Sequence, residues 1–171
     1  DRTRTEAFDP AAGSVEIGVT DGDLILNGSA LNYNSANEVD LFATGNTTAL
    51  FSLQNAGAGA VNLVAGWDGT TGLTETINPV IFPPISALAL DASAVAADTA
   101  AYTNNGGVVS IGDGTQTTPI AVGSALGQTN LLGDGVALVA GSAPGAYAQV
   151  GFRGTSNALI NGTINLGVGA T

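Results

Sequence analysis

An all-β fold, a parallel β-solenoid, is predicted for this chain by three observations. A short Leu-centred phrase returns along the sequence. The segments around it are brief, apolar and bounded by turn residues. The composition suits a repetitive β-protein, with 25 Gly in 171 residues and only 10% charged side chains.

The phrase appears as DLILNG (23–28), DLFATG (40–45), NLVAGW (62–67), ALVAGS (137–142) and NLGVGA (165–170). Each copy runs from a polar or small residue through Leu and an apolar alternation to Gly. The first three copies start 17 and 22 residues apart and the last two 28 apart, distances that fit one coil of two or three short strands. Between them lie further strand candidates: VEIGV (15–19), ALFSLQN (49–55), VVSIGDG (108–114), PIAVGS (119–124), NLLGDG (130–135) and AYAQVGF (146–152). All are rich in Val, Ile, Leu or Phe and are flanked by Gly, Asn, Asp, Ser or Thr, the mark of strands punctuated by turns. Their apolar period is two, which sends alternate side chains to opposite faces. Tight hairpin dipeptides are rare, so stacked parallel coils are favoured over an antiparallel sandwich.

In such a stack Leu24, Leu41, Leu63, Leu138 and Leu166 are expected at equivalent inward positions. Gly28, Gly45, Gly66 and Gly141 are expected to supply positive φ at corners. Asn27, Asn55 and Asn130 are expected at turns, where their amides can form ladders. Residues 73–107 break the pattern. Pro79, Pro83 and Pro84 oppose regular central-strand pairing, and the Ala-rich stretch after Ser86 favours helix. This region is therefore predicted to be an excursion, a loop and a short helix near 85–103, with the solenoid resuming at Val108. Residues 1–171 read as one domain. Asp1 is no translation start and the final strand pattern stops at residue 171, as expected of a piece processed or excised from a longer polypeptide.

Charge and missing residue types exclude several function classes. The net charge is −11, and there is no Lys, His, Cys or Met. No basic patch exists to neutralise phosphates or an anionic membrane, so neither nucleic acid nor membrane insertion is expected. Without Cys there are no disulfides, thiolate metal sites or thiol chemistry. Without His, Cys or Lys, catalysis falls to carboxylates, Ser/Thr and Tyr. Asp113 and Asp134 are the best acid pair for a polysaccharide-active β-helix enzyme, yet both sit in G-D-G, where Asp serves turns. TDGD (20–23), WDGT (67–70) and GDGT (112–115) offer oxygen ligands for calcium without the register of a calcium roll or an EF loop. Trp67 is either a carbohydrate platform or a cap on the core. Arg153 is expected to pair with an acid or a corner carbonyl. Asn27, Asn46 and Asn161 begin N-glycosylation sequons of the kind Asn-rich turns also produce by chance. No catalytic, cofactor or metal residues are assigned, and the chain is not expected to be an enzyme.

The run 104–154, above all VSIGDG, IAVGS and AYAQVGFRG, resembles repeats in large exoproteins of the filamentous haemagglutinin type, and GDLILNG and AVNLVAGWDG resemble that family's shaft coils. The resemblance implies a right-handed parallel β-helix, export from a Gram-negative bacterium by two-partner secretion, and a rigid adhesive shaft on the outer surface or outside the cell. The family's secretion domain is not evident here. The last coil, 157–171, carries no charge and no Pro to protect its open edge. The expected partners are therefore another copy or the rest of the precursor through open coil ends, besides host or cell-surface glycans or proteins. A self-assembling filament and a polysaccharide-active enzyme are the alternatives.

Overall fold

The computed structural model describes residues 9–69, 74–75, 80–81, 106–154 and 162–168, and among these the regular structure is all β-strand. The chain makes repeated circuits of three strands. The first is β1 (Val15–Val19), β2 (Leu24–Leu26) and β3 (Leu31–Tyr33); the second is β4 (Val39–Ala43), β5 (Thr47–Ala49) and β6 (Leu53–Asn55). The third begins with β7 (Val61–Val64). A small antiparallel pair follows, β8 (Thr74–Glu75) with β9 (Val80–Ile81), before the circuit continues through β10 (Val108–Ile111) and β11 (Ile120–Ser124). The fourth comprises β12 (Gln128–Gly133), β13 (Gly135–Leu138) and β14 (Ala148–Val150), and β15 (Thr163–Val168) opens a fifth.

Corresponding strands of successive circuits pair in parallel and build three sheets: β1-β4-β7-β12-β15, β2-β5-β10-β13 and β3-β6-β11-β14. The parallel stacking predicted from the sequence is present, and the antiparallel sandwich is ruled out. Strand β10 starts at Val108, where the pattern was expected to resume. The helix expected at 85–103 lies outside the described residues.

One core runs between the three sheets. Val39, Leu41, Val61, Leu63 and Leu131 face it from the first sheet, Leu26, Ala49, Val109 and Ile111 from the second, and Tyr33, Leu53, Ile120 and Val122 from the third. Their alternation with outward residues is the period of two read from the sequence.

The membership of the columns differs from expectation. In the first sheet Ile17, Leu41, Leu63, Leu131 and Leu166 stand in register. Leu24 belongs instead to the second sheet, opposite Thr47, and Leu138 lies there opposite Ile111. The Leu phrase thus recurs on two different sheets. Circuits also vary in length through their corners, so equal spacing in sequence is not equal position in the stack.

At three of the four glycines singled out, Gly45, Gly66 and Gly141, the corner depends on the close approach of a neighbouring segment. Of the four, Gly66 alone has positive φ, 67°. At Gly45 and Gly141 a Cβ would lie 2.2 Å from Asp23 Oδ1 and 2.1 Å from the Gln116 carbonyl oxygen, whereas at Gly28 it would meet open space. The corner between the third and first sheets is polar inside. There Asn55 accepts from the Ser35 and Gly57 N–H groups and donates to the Ser35 and Gly59 carbonyls, so its buried amide is fully used.

The amide ladder forms in mid-strand on the outward side of the first sheet. Asn62 Nδ2 donates to Asp40 Oδ1 at 2.6 Å, and Asn130 Nδ2 donates to Asn62 Oδ1 at 2.5 Å. Asn130 is thus a ladder member in β12, and Asn55 is a separate corner residue. Neighbouring outward positions carry Phe42, Val64 and Leu132, all buried, so the middle of this face of the first sheet is dry as well, while its β1 edge is partly exposed.

Glu16 occupies the register position beside Asp40. Burial, then Asp40, then Glu38 raise its carboxyl from the ordinary 4.5 to about 7. The folded protein therefore holds this proton at a pH where the unfolded chain has released it. The resulting stability is full below about pH 4.5 and is lost as pH rises through about 7. Glu16→Gln is expected to stabilise the fold at pH 8 by about 1 kcal/mol, a modest figure because solvent screens a partly exposed carboxylate. At pH 4 the substitution should be nearly neutral. Urea midpoints for the two proteins at both pH values check this, and an equal difference at both would refute it.

Candidate binding groove on the third sheet

The acids flagged in the sequence are distributed among separate corners. Asp113 follows β10 at the corner between the second and third sheets, while Asp134 lies between β12 and β13 at the corner between the first and second. Asp113 accepts hydrogen bonds from the hydroxyl and backbone N–H of Thr115, which hold its carboxyl below the usual range. That is the work of a turn aspartate. Asp23 accepts from the backbone and side chain of Asn46, whose own Oδ1 accepts from the Val108 N–H. Asn46, read as a sequon, therefore ties three circuits at one corner. Asn27 is exposed, and Asn161 lies outside the described residues. Among the described residues no three Asp or Glu side chains converge as a metal cluster.

Trp67 is fully buried, its ring 5.3 Å from that of Phe42 and tilted by 41°. It packs beside the outward face of the first sheet and offers no platform to a sugar. This settles the choice between platform and cap in favour of packing.

Arg153 departs from expectation. Its guanidinium lies 5.5 Å from the centre of the Tyr147 ring, a cation–π contact, and among the described residues it has no carboxylate partner. It borders a groove of about 370 Å³ on the outer side of the third sheet, lined also by Ala30, Asn32, Ser52, Gln54, Thr118, Pro119 and Ala121.

The groove is built by a fold-back of the chain. After β14 the Gly151 N–H bonds to the Val122 carbonyl, and the backbone turns at Gly151 with φ of 101°. It then passes over Gly123, where a Cβ would lie 2.6 Å from Gly151 Cα. Only a residue without a side chain lets the strand and the returning loop come this close. Beneath the loop sits Gln54, 4% exposed, which donates from Nε2 to the Gly151 carbonyl and accepts from the Arg153 N–H at Oε1. A buried amide two circuits down thus clasps the segment carrying Arg153. On the opposite wall Ser52 donates to the Pro119 carbonyl and accepts from the Ala121 N–H.

The wall amide and hydroxyl of Gln54 and Ser52 are committed to the protein. The Arg153 guanidinium, the exposed Asn32 amide and the exposed Thr118 hydroxyl retain donor capacity toward the groove. No signal in the sequence marks this site, since Asn32, Gln54, Thr118 and Arg153 lie in different segments and match no motif. No protein-family model, curated protein or solved structure matches this chain.

Proposed function

We propose that the chain is a length of rigid shaft in a secreted or outer-surface bacterial exoprotein of the filamentous haemagglutinin type. In this reading it is a right-handed parallel β-helix that holds a contact surface away from the cell, and it is not an enzyme. The supporting observation is the first-sheet column. Leu41, Leu63 and Leu131 are fully buried, yet Leu166 in the last described rung is 53% exposed, and Ile164 beside it is 49% exposed. A stack of this kind lengthens by adding another rung of the same geometry, which covers those side chains. The likeness of VSIGDG, IAVGS and AYAQVGFRG to shaft repeats supports the family and the exported location. Antibody raised against the purified chain should label intact, unpermeabilised source cells or the fibres they release. Labelling that requires permeabilisation would sink the proposal.

End-to-end stacking of copies is the second reading, favoured by the same exposed rung. Among the described residues strand β15 pairs on one side only, with β12, and so presents an unpaired edge. A head-to-tail contact there would propagate as a fibre unless it closed into a ring. Light scattering of the purified chain is expected to show mass rising with concentration, and Leu166→Asp should abolish the rise. A strictly monodisperse monomer at high concentration would leave the shaft without self-assembly.

A further inference from the structure

We propose that the groove on the third sheet binds an acidic saccharide, with the carboxylate of a uronic-acid ring on Arg153 and its hydroxyls on Asn32 and Thr118. The inference stands on the groove alone and holds whether or not the chain is part of a shaft.

The geometry points to a ligand because the site is assembled at a cost. The whole sequence carries three Arg and no Lys against fourteen carboxylates. A cation so outnumbered finds a carboxylate easily, yet Arg153 is held near an aromatic ring with no carboxylate partner among the described residues, and none of the described residues lining the groove is acidic. Its backbone is fixed by Gln54 and its approach is permitted by Gly123. The Tyr147 ring lies 5.5 Å from the guanidinium, a contact that leaves the N–H donors uncommitted, and a planar carboxylate is the anion that a guanidinium fork matches.

The remaining surface selects the class of anion. Asn32 and Thr118 present an amide and a hydroxyl suited to sugar hydroxyls, while Ala30, Pro119 and Ala121 supply a small apolar wall for the C–H face of a pyranose. An acidic peptide fits less well. Strands β6 and β11 beneath the groove each have ladder partners on both sides, so their backbone cannot add a peptide strand. Among the described residues lining the groove, only the small side chains of Ala30, Pro119 and Ala121 are apolar, which gives a peptide side chain little to bury. The volume of about 370 Å³ lies at the small end of ligand sites, enough for a short saccharide.

The test is an NMR titration of the isotope-labelled chain with trigalacturonate, using maltotriose and sodium acetate as the neutral and the sugar-free controls. Saturable shifts are expected with trigalacturonate at the Arg153 side chain, the Asn32 amide and the Tyr147 ring. Neither control should match its affinity. Arg153→Gln is expected to weaken binding at least about tenfold, the scale of a lost charge-assisted pair. Arg153→Lys, which keeps the charge but loses the fork, should fall between. Gly123→Ala should also weaken binding with Arg153 intact, by pushing the loop away from Gln54. Absence of saturable shifts would overturn the proposal, as would undiminished binding by Arg153→Gln. Acetate binding as tightly as trigalacturonate would reduce the site to a carboxylate contact, and equal binding of maltotriose would remove the role of the charge; either result overturns the acidic-saccharide assignment.

Discussion

Gly59→Ala is expected to destabilise the protein by about 3 kcal/mol or more, near or beyond the upper end of ordinary overpacking. A Cβ at this position would lie 1.8 Å from the Asn37 carbonyl oxygen of the neighbouring circuit. The obstacle is backbone, so no rotamer change relieves it, and the corner must open. Opening it also disturbs the bond from Asn55 Nδ2 to the Gly59 carbonyl and the bond from the Gly59 N–H to the Ser35 carbonyl. In a chain of this size 3 kcal/mol corresponds to a fall in melting temperature of about 6–12 °C. Gly28→Ala is the control, since its added methyl meets open space. It should leave the midpoint within about 0.5 kcal/mol or raise it slightly by restricting the unfolded chain. Urea melts of the two variants check the contrast, and equal midpoints would show that the corner yields freely.

Leu63→Ala should cost about 2–5 kcal/mol, the range for truncating a fully buried leucine and leaving a cavity. Leu166→Ala in the same column should cost less than about 1 kcal/mol in dilute solution, because half of that side chain is already in water. The first residue is 0% exposed and is flanked in register by Leu41 and Leu131, whereas the second is 53% exposed and, among the described residues, has Leu131 on one side only. Chemical denaturation of both at one low concentration gives the comparison. If Leu166→Ala proves as damaging as Leu63→Ala, the last rung is covered in solution even when dilute. Comparable small losses at both sites would mean that the column is not the stabilising axis of the stack.

Much of the architecture is legible in particular segments. VEIGV (15–19) coincides with β1, VVSIGDG (108–114) opens at Val108 as β10 does, and PIAVGS (119–124) contains β11 at Ile120–Ser124. Strong alternation and Gly/Asn punctuation are local properties, and local properties survive into the fold. The strands missed are those without such a signal. Strand β5 is Thr-Thr-Ala, and it holds its place because Thr47 is buried with its hydroxyl donating to the Val64 carbonyl at 2.7 Å. Strand β3, Leu-Asn-Tyr, is too short to show a period.

The residue pattern alone establishes the class: short strands of period two, parallel and stacked. Register, and everything that register brings together, comes from the three-dimensional packing. Leu24 and Leu41 carry the same phrase yet enter different sheets, because corner lengths set where a strand lands and a corner has no periodicity to read. The same holds for Arg153. Its bond to Gln54 joins residues 99 apart in sequence, and the groove they border exists only because the circuits stack Asn32, Gln54 and the 151–153 loop over one face. Side-chain chemistry is written residue by residue, whereas proximity between distant residues is a product of packing, and this site rests on proximity.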